Sequence, residues 1–352
     1  MARVAVVFTG GTISMVADPV AGGNVPALDG AAILARTPGL ADIADVVPID
    51  LGRVPASHLS FARLLEIAAI IRDAQADPGV DGVVVVQGTD TIDETAFCWD
   101  LVLDSPKPVV VTGAMRAASD AGYEGPVNLR NAVRAAASSD LRDAGVVVAL
   151  AGQLDAADAV TKTHTSAFDT FQSLDTGRLG RVSDDGVVIE RPPVRRRHVA
   201  TDRAAEDVQL VTATVGMTPS LIDAVVALRP SGLVVAATGG GNTSPILLDA
   251  ATRAMAQGTV VVLCSRTPAG AVTPAYAFPG GGATWQRAGA ILAGHLSGPK
   301  ARVALALGLG AGLDRRHLAE LLADPPGWGP TVEGAPQPAA TVTRPVAAME
   351  AS

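Results

Sequence analysis

Six short runs of consecutive apolar, mostly β-branched residues recur along the chain, at 4–8, 83–86, 109–111, 146–148, 233–236 and 260–263. None alternates with polar residues, so each predicted strand is buried on both faces, the signature of a parallel sheet covered by helices. The segments between them repeat at helical spacing. Residues 60–73 carry Leu64, Leu65, Ala68 and Ile71 behind Ser60, which predicts a helix with a serine N-cap. Thr91-Ile-Asp-Glu94 has the form of a capping box ahead of Ala96 and Phe97. The chain is therefore expected to be α/β.

The pattern breaks between about 190 and 207, where Arg191-Pro-Pro-Val-Arg-Arg-Arg-His198 leads into a stretch without strand or helix periodicity. This divides the chain into a larger N-terminal α/β domain, residues 1–190, with a mostly parallel sheet flanked by helices. A linker, 191–207, and a smaller C-terminal α/β domain, 208–325, follow. A length of 352 residues suits two domains at roughly 150 residues each. The stretch 326–352 holds Pro330, Pro336, Pro338 and Pro345 with little apolar periodicity and reads as a disordered tail. A long segment at 14–30 with Pro19, Gly22, Gly23, Pro26 and Gly30, next to the first strand end, predicts a functional lid.

Composition narrows the class. A net charge of -8 leaves no general electrostatic footprint for nucleic acid. The run Arg195 to Arg197 sits among prolines and reads as a solvated linker. Two cysteines, Cys98 and Cys264, are too few for a disulfide framework or a zinc site. The N-terminus enters a strand directly, and no apolar run reaches the 18 or so residues that span a bilayer, so a soluble cytoplasmic protein is expected. Of the 27 basic residues only three are lysines, Lys107, Lys162 and Lys300, which makes each of them worth a question.

Ligands of open α/β sheets bind at the carboxyl ends of the strands, so the residues after each predicted strand are the candidates. The first turn is Thr9-Gly10-Gly11-Thr12-Ile13, where two glycines permit a sharp turn and Thr12 presents a hydroxyl. The second is Gln87-Gly88-Thr89-Asp90-Thr91, again a glycine and a hydroxyl, with a carboxylate beside them. Singly, each reads equally as a structural turn or a helix start; two at different strand ends are more than packing requires. Lys162 lies among hydroxyls in Thr161-Lys-Thr-His-Thr-Ser166, a setting for a compact amine but also for a surface lysine. His164 beside it reads as a hydrogen-bonding residue. A further strand end carries Thr112-Gly-Ala114-Met-Arg116 and leads to Gly125-Pro-Val-Asn-Leu129.

Together, in this order and spacing, these segments resemble the bacterial-type L-asparaginase and glutaminase-asparaginase family. The resemblance runs over roughly residues 3–310 and extends to Thr170-Phe-Gln-Ser-Leu174, Gly240-Gly-Asn242, Cys264-Ser-Arg266 and Lys300-Ala-Arg-Val303. It implies hydrolysis of the side-chain amide of asparagine, and of glutamine more weakly, to the acid and ammonia, with no cofactor and no metal. It implies that Thr12 is the nucleophile of an acyl-enzyme step, and that Thr89, Lys162 and Asp90 form a proton-handling cluster. Asp90 would also hold the substrate's α-ammonium, and Ser57 its α-carboxylate. Backbone at Gly88 to Thr89 and at Ala114 would line the oxyanion, and Asn242 would reach the site of a neighbouring subunit in a homodimer or homotetramer. The implied partner is a small amino-acid amide, with neither nucleic acid nor membrane.

The chain departs from the family in two places. The lid usually carries a tyrosine beside the nucleophile, but the only tyrosines here are Tyr123 and Tyr276. The C-terminal half usually supplies an acidic contact, but residues 265–300 contain no carboxylate. These losses leave a second reading: a catalytically weak protein of the same fold that binds asparagine or aspartate.

Overall fold

A computed structural model describes residues 1–194 and 197–325; the tail expected at 326–352 lies outside the described residues. Strands β1 (Arg3–Phe8), β4 (Asp45–Asp50), β5 (Gly82–Val86), β6 (Val109–Thr112), β7 (Val146–Leu150), β8 (Gln153–Ala156), β11 (Gly180–Ser183) and β12 (Gly186–Ile189) form one sheet. Its order is β12-β11-β8-β7-β6-β5-β1-β4, parallel from β4 to β7 and antiparallel beyond. Two small hairpins lie outside it: β2 (Met15–Asp18) with β3 (Gly23–Pro26), and β9 (Thr161–Lys162) with β10 (Phe171–Gln172). A second sheet holds β13 (Gln209–Thr212), β14 (Gly232–Ala237), β15 (Val260–Ser265) and β16 (Ile291–Ser297), all parallel. All six apolar runs are strands.

Alternate strand residues bury toward opposite faces. Val83, Val85, Val109 and Val111 meet α2 (Phe61–Ala76) and α3 (Ile92–Val102), while Val84, Val86 and Val110 meet α1 (Gly30–Ala35) and α4 (Gly125–Ala136). Helix α2 starts as its sequence indicates, with the Ser60 side chain accepting from Arg63 N–H. Helix α3 corrects the capping-box expectation. Thr91 is its N-cap but makes no side-chain cap bond, because its hydroxyl donates to the Ala56 carbonyl at 3.3 Å.

The second sheet is covered by α5 (Pro219–Ala227) and α6 (Pro245–Ala256) on one face. On the other lie α8 (Gly298–Gly310) and α9 (Arg315–Leu322), while α7 (Gly282–Ala288) precedes β16. Helix α8 packs on α3, so one apolar core runs from α2 and α3 across to β14, β15 and α8. Both cysteines are buried there as free thiols pushed up to about 12 by desolvation, inert packing groups as the sequence suggests. Among the described residues no helix is long and apolar enough to cross a membrane.

Candidate active site

The strand order reverses at β1: the chain runs from β1 to β4 on one side, then returns to β5 on the other. The crevice between the carboxyl ends of β1 and β5 is thus a topological switch point, where such sheets bind their ligands. Both Gly-Thr turns lie there. Thr9 anchors the first, its N–H and hydroxyl both donating to the Val86 carbonyl, at 2.9 and 3.2 Å. The chain then passes through Gly10 and Gly11 at φ 111° and 92°, conformations that side chains rarely adopt. A Cβ on Gly11 would stand 2.1 Å from the nitrogen of Gly88, so only glycine lets the two turns lie against one another. Thr12 follows at the head of a single 3-10 turn, Thr12–Ser14, which the Ser14 hydroxyl closes on the Gly11 carbonyl at 2.7 Å.

On the other side of this contact, Thr89, Asp90 and Thr91 form a second 3-10 turn ahead of α3. Lys162 reaches it from β9, 73 residues away in sequence: its Nζ donates to Thr89 Oγ1 at 3.1 Å and to Asp90 Oδ1 at 3.0 Å. Thr89 is buried and the Lys162 side chain is 15% exposed, whereas the Asp90 side chain is 72% exposed. The inner pair is therefore shielded, and the carboxylate faces solvent. The backbone under Lys162 is held twice. Asp93 of α3 accepts from the Thr161 hydroxyl at 3.3 Å and from Lys162 N–H at 3.5 Å. Lys300, buried in α8, donates from Nζ to the carbonyls of Asp158 and Val160 at 3.0 and 2.5 Å, just ahead of β9. Burial pushes the Lys300 amine down to about 8.

The third wall is the turn after β6. Gly113 has no Cβ to strike the Gln87 carbonyl, which would stand at 2.5 Å, or the Thr89 methyl at 3.2 Å, and Ala114 beside it is fully buried. The start of α4 secures this turn. The Glu124 carboxylate accepts from Met115 N–H and, at 3.4 Å, from Arg116 N–H, and Asn128 Nδ2 donates to the Gly113 carbonyl at 3.0 Å. The segment at 14–30 is largely the β2–β3 hairpin, tied to the next loop by Ala118 N–H donating to the Met15 carbonyl at 2.8 Å.

Of the other candidates, Ser57 is exposed on the rim of a cavity of about 420 Å³ between α2, α3 and α8. The residue packed on the Gly88 turn is its neighbour Ala56, whose Cβ would lie 3.0 Å from a Cβ on Gly88. Asn242 lies in the turn after β14, bridged to Thr238, with its side-chain oxygen buried and unpartnered; it shares no hydrogen bond with the Thr89–Lys162 cluster. His164 Nδ1 accepts from Ser166 and Ala167 N–H, both at 3.0 Å, a turn-closing role in accord with its sequence reading. Among the described residues no group of three or more His, Cys, Asp or Glu side chains suits a metal ion. Tyr123, Glu124, Asp93 and Lys300 had no predicted role; of these only Lys300 carried a signal, as one of three lysines.

A buried hydroxyl bonded to a largely shielded amine, with an exposed carboxylate beside them, stands at the switch point of an α/β sheet whose helix α3 packs on α8 of a second, smaller sheet domain, and its relatives place such a chain among the hydrolases. The chain belongs to the asparaginase family: residues 3–195 match "Asparaginase, N-terminal" and residues 207–322 match "Glutaminase/Asparaginase C-terminal domain". A probable L-asparaginase of Deinococcus radiodurans is 36% identical over 90% of this chain and 95% of its own. An L-asparaginase of Bacillus licheniformis is 31% identical over 87% and 94%. Among solved structures, the probable cytoplasmic L-asparaginase of Campylobacter jejuni superposes with a TM-score of 0.82 at 29% identity, covering 92% of this chain and 99% of that one.

Proposed function

We propose that this chain hydrolyses L-asparagine to L-aspartate and ammonia, and L-glutamine more slowly, with Thr12 as the nucleophile. The observation that carries the reading is Lys162 Nζ, shared between Thr89 and Asp90, in a cluster packed against the Thr12 turn. A threonine hydroxyl is a weak nucleophile at neutral pH and needs a neighbouring base. In the first half-reaction Thr12 Oγ attacks the side-chain amide carbon, and its proton passes toward the Thr89–Lys162 pair. Backbone N–H groups at Thr89 and Ala114 receive the oxyanion, each such donor being worth roughly 10²–10³ in rate. Collapse breaks the C–N bond, and the departing nitrogen takes a proton and leaves as ammonia. In the second half-reaction water attacks the aspartyl ester, its proton follows the same route, and aspartate leaves with Thr12 restored. The exposed Asp90 carboxylate is suited to the substrate's α-ammonium.

Asn242 lacks a hydrogen-bond link to this cluster in its own chain and carries a buried, unpartnered amide oxygen. Both facts fit a residue that completes the site of a neighbouring subunit, in a homodimer or homotetramer. The cytoplasm is the compartment we assign, in line with the probable cytoplasmic L-asparaginase of Campylobacter jejuni, although a relative 31% identical is a probable periplasmic L-asparaginase of Haemophilus influenzae. The deciding experiment is ammonia release from asparagine, glutamine and their D-forms by wild type, Thr12→Ala and Thr89→Val. The reading expects activity on L-asparagine that both substitutions abolish; full activity in both overturns the site. Tight aspartate binding without turnover by the wild type selects the binding-protein reading instead.

A further inference from the structure

Three side chains at and just before the start of helix α4, Tyr123, Glu124 and Asn128, are committed to the site, and the least expected is Tyr123. Its hydroxyl donates to the carbonyl of Ile13 at 2.8 Å, joining residues 110 apart in sequence. Ile13 is fully buried and follows Thr12 directly, so this bond holds the middle of the 3-10 turn that presents the Thr12 hydroxyl. The tyrosine ring reaches the turn by crossing Gly125, where a Cβ would lie 2.4 Å from the ring and from the hydroxyl oxygen. Next to it Glu124 secures the turn that carries Ala114, and Asn128 secures Gly113 while accepting from Ala151 N–H at 3.2 Å. One short segment thus ties the Thr12 turn to the opposite wall of the site. Burial pushes the Tyr123 phenol up to about 12, which keeps it a donor throughout the pH range of enzyme assays.

We infer that Tyr123 is a positioning residue for Thr12: its hydrogen bond to the Ile13 carbonyl sets the orientation of the nucleophile's turn relative to the Thr89–Lys162 cluster. Without the hydroxyl, the buried carbonyl loses its donor and the turn can rotate to find another. A turn that has lost a few tenths of an ångström of registration still binds substrate through Asp90, but attacks it less often. The effect belongs in kcat and not in KM. This inference rests on the reading of Thr12 as nucleophile given above.

The test is Tyr123→Phe, which keeps the ring over Gly125 and removes only the hydroxyl, with Tyr123→Leu and Thr12→Ala measured alongside. With L-asparagine as substrate, Tyr123→Phe is expected to lower kcat about tenfold, with KM changed less than about twofold. Its thermal midpoint should stay within about 3 °C of wild type. Tyr123→Leu should lose the same factor in kcat and further stability. Wild-type kcat in Tyr123→Phe while Thr12→Ala is inactive overturns the positioning role alone, as does a fall in rate that merely tracks the fraction folded. Full activity in Thr12→Ala overturns the underlying reading and this inference with it.

Discussion

Substituting Gly11 by alanine probes the contact on which the site's geometry depends. Gly11 has φ 92° and ψ -175°, a region populated almost only by glycine, and occupying it with a side chain costs roughly 1–3 kcal/mol. The steric term is larger. The new methyl would lie 2.1 Å from Gly88 N and 2.2 Å from Gly88 Cα, where ordinary contact begins near 3.4 Å. Neither neighbour is a side chain that can rotate away, so the Thr12 and Thr89 turns must separate by about 1 Å, a displacement of the size that costs on the order of 10²-fold in rate. Gly11→Ala is therefore expected to lower kcat/KM for asparagine at least 100-fold and to lower the thermal midpoint by several degrees. Gly312→Ala serves as control: its φ is also left-handed, at 72°, but a Cβ there meets nothing within 4 Å. It should lose about 1 kcal/mol of stability and no activity. Ammonia release with parallel thermal melts decides the matter. A Gly11→Ala enzyme within threefold of wild-type kcat/KM would refute the close packing of the two turns as a catalytic requirement.

Lys162→Met removes the donor to Thr89 and Asp90 and should reduce kcat at least 100-fold while the melting curve stays cooperative; an active variant would show that another group handles the proton. Asp155, buried in β8 with its carboxyl pushed up to about 6 by desolvation, binds a proton more readily when folded than when unfolded at about 3.9. Its stabilising contribution is then present below pH 4 and lost as pH rises through 6, a cost of up to roughly 3 kcal/mol at neutral pH. Asp155→Asn should raise the thermal midpoint at pH 7.5 more than at pH 4.5, and equal shifts at the two pH values would contradict this. Lys300 has the opposite sense: with its amine lowered to about 8, the unfolded chain holds the proton more tightly between pH 8 and 10.4, so stability from this group rises with pH across that window. The melting point of wild type relative to Lys300→Met should accordingly increase from pH 7.5 to pH 9.5, and a flat difference would be evidence against a lowered Lys300 amine.

The interior parallel strands β1, β5, β6, β7, β14 and β15 were legible because each is buried on both faces and so appears as an uninterrupted apolar run. Strand β4 was not, since it is the edge of its sheet, has only exposed and half-buried positions and contains Pro48, which an edge strand tolerates. The β2–β3 hairpin is short and interrupted by Pro19, Gly22, Gly23 and Pro26, so nothing in its hydrophobic pattern distinguishes it from a loop. The candidates Thr12, Thr89 and Asp90 were legible because hydroxyls and a carboxylate follow strand ends, and Lys162 because a lysine is rare in this chain and stands there among hydroxyls. The residues that hold them were not, for a different reason. Tyr123, Glu124, Asp93 and Lys300 all act on backbone groups, and a carbonyl or an N–H has no letter of its own in the sequence. Their partners lie from 8 to 142 residues away, and only the fold brings them together. Choosing Ser57 over Ala56 needed the same information, since which of two adjacent residues packs on Gly88 depends on how the Ala56–His58 turn meets the one at Thr89–Thr91.

The account turns on Thr12 as the attacking group, and the most direct measurement is to trap the covalent intermediate. Acid quenching of the enzyme during turnover of L-asparagine, followed by peptide mapping by mass spectrometry, locates the ester. An aspartyl adduct on the peptide containing Thr12, absent from Thr12→Ala, is the predicted result. An adduct on the peptide containing Thr89, or one that persists in Thr12→Ala, would contradict it.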